Sequence, residues 1–274
     1  MFGHMTWKRG LIATLTLVLV SLCVWLLVQA PSNERTWTKD QALLPTVHFE
    51  NDTVTIENIR NYSYASTSSY IPAYYTKTIA LDSVRSIDFI VEPFGSIGAA
   101  HTFLSFGFDD GTYLAISIEI RKEIGESFSP LKGLTRQFEL MYVIADERDV
   151  IDLRANHRKD TVYLYPSTVS REDARALFID MLTRTLRLET EPEFYNTLTS
   201  NCTTNIVAHV NKLRDEPISW DRRMLFPEDS DVLARELGLI APDMTIEEAR
   251  TKYRINEKAA QYADDPEFSK KIRE

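Results

Sequence analysis

Apolar and polar positions alternate in short runs through the first two thirds of the chain, then switch to a helical period. In "TVHFENDTVTIENIRNY" the alternation around Val54 and Ile56 predicts a strand. "YSYASTSSYIPAYYTKTIAL" (62–81) is rich in Tyr and Ser and predicts irregular structure with a strand near Lys77–Leu81. Its tyrosines suit wall packing, with a groove lining as the alternative. "VRSIDFIVEPFG" predicts a strand over Ser86–Val91, stopped by Pro93 and Gly95. The clearest pattern is "AHTFLSFGFDDGTYLAISIEIRKE", two strand-like runs around Asp109-Asp110-Gly111. A type I turn with Gly in the left-handed position makes a three-residue hairpin loop. Phe108 then faces Thr112, Phe103 faces Ser117 and His101 faces Glu119. A two-residue loop would shift the pairing by one and move Glu119 to the other face.

"QFELMYVIADERDVIDLRANH" predicts a strand over Phe138–Ile144 that becomes polar, and "DTVYLYP" a further strand ended by Pro166. A helix follows Ser170, with Asp173 as the reciprocal acid of a cap and an apolar face of Ala174, Leu177, Phe178, Met181, Leu182 and Leu186. A second helix runs from about Cys202 to Leu213. "DSDVLARELGLIAP" predicts a third, stopped by Gly238, and "TIEEARTKYRINEKAAQYADD" a polar C-terminal helix before a frayed "PEFSKKIRE". The fold class is α+β: an antiparallel sheet of five or six strands with helices packed at one end, preceded by a transmembrane helix.

That transmembrane segment is Leu11–Ala30, "LIATLTLVLVSLCVWLLVQA", which carries no charge. At 1.5 Å per residue it spans about 30 Å, a bilayer core. Lys8 and Arg9 precede it, so residues 1–10 are expected in the cytoplasm and the rest outside the inner membrane of a bacterium. A cleaved signal peptide would end at Ala30, but Pro31 would then be the first mature residue and the run exceeds a signal peptide's apolar length. A retained single-pass anchor is the reading adopted, with Trp25 and Trp37 as interfacial anchors, or Trp25 merely facing lipid. Residues 31–60 form a polar tether and a lead-in strand, and 241–274 a C-terminal polar helix. The 274 residues carry a net charge of −9, and no basic stripe marks the region outside the membrane, which excludes nucleic acid as a partner.

The chain has two cysteines, and this topology separates them. Cys23 lies in the membrane run; Cys202, in "NTLTSNCTTNIVAHV", lies in an oxidising space without a disulfide partner. Burial as a small apolar residue is one explanation and chemistry is the other. Thr199, Ser200 and Asn201 are all suitable N-caps, and each puts Cys202 in or beside the first turn of its helix. There the free N–H groups and the positive dipole end favour a thiolate, and the same N–H groups suit the oxyanion of a tetrahedral intermediate.

A nucleophile needs a base. His4 is on the cytoplasmic side. His209 shares the helix of Cys202 but sits about 10 Å along it. His157 reads as a solvated loop residue and His48 follows the tether. His101 begins a strand of the hairpin, where Glu119 or Ser117 would orient its ring; a satisfied sheet histidine is the alternative. HExxH, CxxC, GxSxG and phosphate-loop motifs do not occur. Asp109, Asp110 and Glu119 are cation ligands by type, but turn formation explains the two aspartates. The charge run Asp146, Glu147, Arg148, Asp149 and Arg154 reads as a solvated or ion-paired face, with substrate binding by Arg148 or Arg154 as the alternative.

The hairpin, "PEFYNTLTSNCTTNIVAHV", "ERDVIDLR", "VYLYP" and "DSDVLARELGLI" occur in an order that resembles the Lnb N-terminal periplasmic domain, from about Tyr62 to Ile240. The resemblance makes 61–240 the main domain. Because Lnb is a bacterial lipoprotein N-acyltransferase, it implies thiol-dependent acyl transfer at the outer face of the inner membrane, with His101 and Cys202 at the motif positions. The histidine-before-cysteine order is also similar to that of permuted papain-like enzymes. Lnb continues into a C-terminal membrane portion, whereas here a polar helix follows. The function expected is a membrane-anchored acyltransferase working through an acyl-cysteine on lipoproteins or other lipid-linked substrates, without a cofactor or metal. A cell-wall amidase or cysteine peptidase and a non-enzymatic envelope binding module are the alternatives. Cys202, His101, Glu119 and Asn201 are the candidate catalytic residues, with Asn201 an oxyanion donor; Ser117, Arg121, Arg148 and Tyr195 are the candidate substrate contacts.

Overall fold

The period-two runs pair into one mainly antiparallel sheet. The computed structural model of the chain describes residues 3–95 and 98–274. Helix α1 (Gly3–Val28) is followed by strands β1 (Thr46–Glu50), β2 (Thr53–Arg60), β3 (Ser63–Tyr64), β4 (Tyr70–Ile71), β5 (Tyr74–Ala80), β6 (Val84–Pro93), β7 (Ala100–Phe108) and β8 (Tyr113–Arg121). Then come α2 (Pro130–Leu134), β9 (Glu139–Asp146), α3 (Glu147–Asp152), a π-helical turn Leu153–Arg158, and β10 (Tyr163–Pro166). Helices α4 (Arg171–Thr190), α5 (Cys202–Asn211), α6 (Ser230–Glu236), α7 (Ile246–Tyr253), α8 (Asn256–Gln261) and α9 (Phe268–Lys271) complete it. The sheet order is β1-β2-β9-β8-β7-β6-β10, with β5 also on β2; β3 and β4 form a separate pair. One parallel link, Arg60 to Ala145, joins β2 to β9.

The expected α+β class holds. The sheet is larger than five or six strands because β1 and β2, ahead of the Tyr-rich segment, and β5, within it, all join it. Alternation buries both of its faces. Leu104, Phe106, Ile116 and Ile118 face Phe178, Met181 and Ile206 of α4 and α5. Phe103, Ala115 and Met141 face Val150, Ala155, Ala259 and Phe268 on the other side. The hairpin loop is as expected: Phe108 N–H donates to the Thr112 carbonyl at 3.0 Å, and Gly111 takes φ 81°. The face of α4 is Ala174, Leu177, Phe178, Met181, Leu182, Thr185 and Leu188, whereas Leu186 drifts past the buried stripe and is exposed. The Tyr-rich segment wraps a buried ion pair: Arg60 meets Asp149 at 2.8 Å, and Asp149 also accepts from the Tyr62 N–H and the Tyr64 hydroxyl.

Two stretches expected to be loose are packed. The tether is laced onto the sheet. Trp37 is buried beneath the Arg121 guanidinium (4.2 Å to the ring centroid), and its indole N–H donates to the Asn33 carbonyl. It is therefore no interfacial anchor, while Trp25 is exposed on α1. The C-terminal region is three short helices rather than one, and its end is anchored. Phe268 and Ile272, four apart on one face, are buried, and Arg273 bonds Asp88 and Glu147 at 2.6 and 2.5 Å.

Candidate active site

Helix α5 starts where Asn201 caps it. Asn201 Oδ1 accepts from the Thr204 N–H at 2.8 Å and Thr204 Oγ1 accepts from the Asn201 N–H, a reciprocal box. Cys202 is thus the first helical residue, and its N–H has no intrahelical acceptor. Its sulfur is 3.8 Å from Thr203 Oγ1, and the residue is 8% exposed. Thr203 hydrogen-bonds Thr102 of β7 at 2.9 Å, which pins the helix start to the sheet. Cys23 belongs to α1 by its backbone, but its side chain, like that of His4, lies outside the described residues.

Alternation along β7 sends Thr102 toward α5 and His101 to the opposite face. The two faces meet because the hairpin splits. Pairing of β7 with β8 runs from Gly107↔Tyr113 to Phe103↔Ser117 and ends there. Beyond it β7 stays on β6, where His101 pairs Glu92, and β8 stays on β9, where Glu119 pairs Met141. A cavity of about 230 Å³ occupies the split, lined by residues that include His101, Glu119, Arg154, Tyr195 and Cys202. The thiol and the imidazole share this space without a direct hydrogen bond.

Splitting also corrects the expected His101–Glu119 pairing. The ring reaches the carboxylate through Ser117: His101 Nε2 is 2.7 Å from Ser117 Oγ, which donates to Glu119 Oε1 at 2.9 Å, while Nε2 and Oε1 are 4.0 Å apart. With the Ser117 proton directed to the carboxylate, Nε2 must be the N–H, and Nδ1 carries the lone pair. Ser117 is fully buried in this relay, which leaves it no surface for the substrate contact expected of it. Burial, reinforced by the Arg154 charge, pushes His101 down to about 3 against the pull of Glu119, so the ring is neutral at ordinary pH. Burial pushes Glu119 up, but the Arg154 and Arg60 charges, the nearby imidazole and the Ser117 bond bring it well below the usual carboxylate range.

The remaining candidates divide. Tyr195 lines the cavity, and burial together with the Cys202 sulfur raises its phenol above the ordinary range. Asn201 is not an oxyanion donor: its NH2 group is committed to the carbonyls of Thr197 and Met224 at 2.9 and 3.0 Å. Arg121 does not reach the cavity as a substrate contact; it bonds the Gln41 and Ala42 carbonyls and Asn33, holding the tether. Arg148 bonds Asn61 Oδ1 at 3.3 Å and lines a different cleft. His209 is packed between Tyr142 and Asp180. His157 is in the π-helical turn, 3.2 Å from Asp152, and is not a solvated loop residue. His48 is exposed on β1. Asp110 serves the turn, accepting from the Thr112 N–H at 2.9 Å.

Sequence reasoning undervalued Arg154 and missed Glu92. Arg154 donates to Glu92 at 2.6 Å and to Glu119 at 3.0 Å, and its guanidinium lies 4.9 Å from the Phe103 ring centroid. The charge run is thus largely a buried ion-paired layer, with Glu147, Asp149 and Arg154 all inside. "ERDVIDLR" carried that signal: Val150 and Ile151 among the charges mark a helix with a buried face.

The family model of the Lnb N-terminal periplasmic domain matches residues 70–228. The chain belongs to this family. Every residue of the His101–Ser117–Glu119 relay, Arg154 and Cys202 falls within the matched part of the Lnb domain. No curated protein and no solved structure matches the chain. Ahead of the Lnb domain, Trp7–Leu26 is a helical stretch long and apolar enough to cross a membrane, as a single-pass protein requires.

Proposed function

We propose that the chain is an inner-membrane, thiol-dependent acyltransferase with its N-terminus in the cytoplasm and its Lnb domain in the periplasm. The observation that carries this reading is that Cys202 and His101, from distant segments and opposite faces of the sheet, line one cavity. Neutral His101 offers the free lone pair a base needs, and the thiolate charge formed in the same cavity raises the proton affinity that burial and Arg154 depress in the resting site. Its Nδ1 takes the thiol proton through a water in the cavity, since no direct bond joins the two. The sulfur attacks an ester carbonyl, and the Cys202 N–H and the Tyr195 hydroxyl hold the oxyanion. Collapse expels the alcohol, which takes the proton from the imidazolium and leaves an acyl-cysteine. An amine then attacks the thioester, His101 accepts its proton and returns it to the thiolate, and the amide departs. Lipoproteins or other lipid-linked molecules suit a site held beside a bilayer.

Incubating the full chain with a phospholipid donor and trapping the thioester for mass spectrometry tests this reading. Acyl adduct is expected on Cys202, none in Cys202→Ala, and about 10²–10⁴-fold slower formation in His101→Ala. Equal adduct in wild type and Cys202→Ala removes the nucleophile. Lipid analysis of lipoproteins from cells with and without Cys202 then identifies the acceptor; release of fragments from peptidoglycan without lipid would indicate an amidase instead.

A further inference from the structure

Between β8 and β9 the chain leaves the sheet and exposes large apolar side chains: Ile124 is 68% exposed, Phe128 48% and Leu131 73%. Leu198, 49% exposed, joins them, because Thr197 donates to the Pro130 carbonyl at 2.8 Å and so sets its loop against α2. Single exposed apolar residues are ordinary, but a cluster of four marks a contact surface.

Four bonds fix where this surface lies. Arg136, two residues after α2, donates to the Leu26 carbonyl in the last turn of α1 at 2.9 Å. The Ile124 N–H donates to the Thr36 carbonyl at 2.9 Å, and Arg35 holds both Ala30 and Glu123. The cluster is therefore continuous with the end of the helix that would cross the bilayer. Leu26 is two residues from the end of α1, about 3 Å along the axis, so the Arg136 guanidinium sits at headgroup level, where long cationic side chains belong. Phe128 lines the cavity that holds Cys202.

We infer that Ile124, Phe128, Leu131 and Leu198 form a membrane-contact surface that enters the phospholipid leaflet from which α1 emerges and turns the mouth of the Cys202 cavity onto it. The inference rests on α1 spanning a bilayer but not on the proposed chemistry. Shallow burial of such a face adds to the hold of α1 and presents the cavity to a molecule still seated in the leaflet.

The full chain, one per nanodisc of zwitterionic and anionic phospholipid, tests this with an environment-sensitive fluorophore on single cysteines, in a Cys23→Ser, Cys202→Ala background. Label sites are Ile124→Cys, Phe128→Cys and Leu131→Cys. Asp110→Cys, at the hairpin tip, is the aqueous control: β8 has nine residues and spans about 30 Å between tip and cluster. Val18→Cys reports the insertion of α1 in parallel samples. Labels in the cluster are expected to shift to the blue and lose intensity when brominated phospholipid replaces the ordinary lipid, while the Asp110 label does neither. Quenching at Val18 with aqueous spectra at all three cluster sites overturns the inference. A blue shift without lipid quenching also overturns it and indicates a protein partner.

Discussion

Replacing Arg154 with Met keeps most of the side-chain volume and removes the charge that holds Glu92 and Glu119. Glu92 is fully buried, and Arg154 Nε bonds it at 2.6 Å. Breaking a buried pair by removing one partner costs about 3–5 kcal/mol. Arg158, 3.4 Å from Glu92 but 43% exposed, compensates in part, which puts the expected loss at the lower end, about 3 kcal/mol. The cost should depend on pH. Burial already holds Glu92 above the ordinary carboxylate range against the pull of Arg154 and Arg158, and without Arg154 it rises further. A carboxylate raised in the folded state binds its proton more tightly there than in the unfolded chain. The penalty is therefore complete above the folded value and shrinks as pH falls through it, by up to about 1.4 kcal/mol per unit. Urea unfolding of the full chain in detergent, followed by tryptophan fluorescence at pH 8 and pH 5, measures this. The variant should lose less stability at pH 5, and Arg154→Lys should recover part of the loss because it keeps the charge without the two-way fork. A cost below about 1 kcal/mol, or one equal at both pH values, would refute the buried-layer argument.

Three further outcomes follow from the same geometry. Ser117→Ala breaks the link between ring and carboxylate, so the acylation rate should fall about 10–10²-fold with little change in KM; an unchanged rate would mean the relay does not orient His101. The folded value of His101 lies near 3, below its ordinary 6.5, so its ring should show no titration by NMR from pH 8 to pH 5, and its contribution to stability is lost only as pH falls from 6.5 toward 3; a midpoint near 6.5 would contradict the burial. Asn201→Ala removes a cap and should cost about 1–2 kcal/mol, seen in urea unfolding, with the rate per folded molecule falling far less than the 10²–10³-fold of a lost oxyanion donor.

Local pattern made much of the fold legible. The hairpin loop followed from Asp-Asp-Gly, the start of α4 from Ser170, and the entry of Cys202 into a first turn from three adjacent capping residues. What escaped depended on partners remote in sequence. The split between β7 and β8 leaves no local mark, since both strands keep their alternation through it; the divergence shows only in which neighbour each follows. For the same reason His101 reads as facing Glu119 when it reaches it through Ser117. The tether and the C-terminal end looked polar and loose because Arg121 read as a substrate contact and Arg273 as part of a frayed end, while their acceptors, the Gln41 carbonyl and the Asp88 carboxylate, belong to other segments. Arg154 was visible as a charge but not as the centre of a buried layer.

The Arg273 clamp also bears on the order in which the molecule is built. Asp88 emerges during synthesis 185 positions ahead of the arginine that neutralises it. Until then neither the β6 carboxylate nor Glu147 has its ion pair with Arg273, Arg85 offsets Asp88 only in part, and a sheet closing over them would enclose poorly compensated negative charge. Contacts of such sequence separation form slowly. Locking of that face therefore waits until Arg273 has been made, so the two carboxylates favour an open arrangement of β6 and α3 while the intervening residues are still being added.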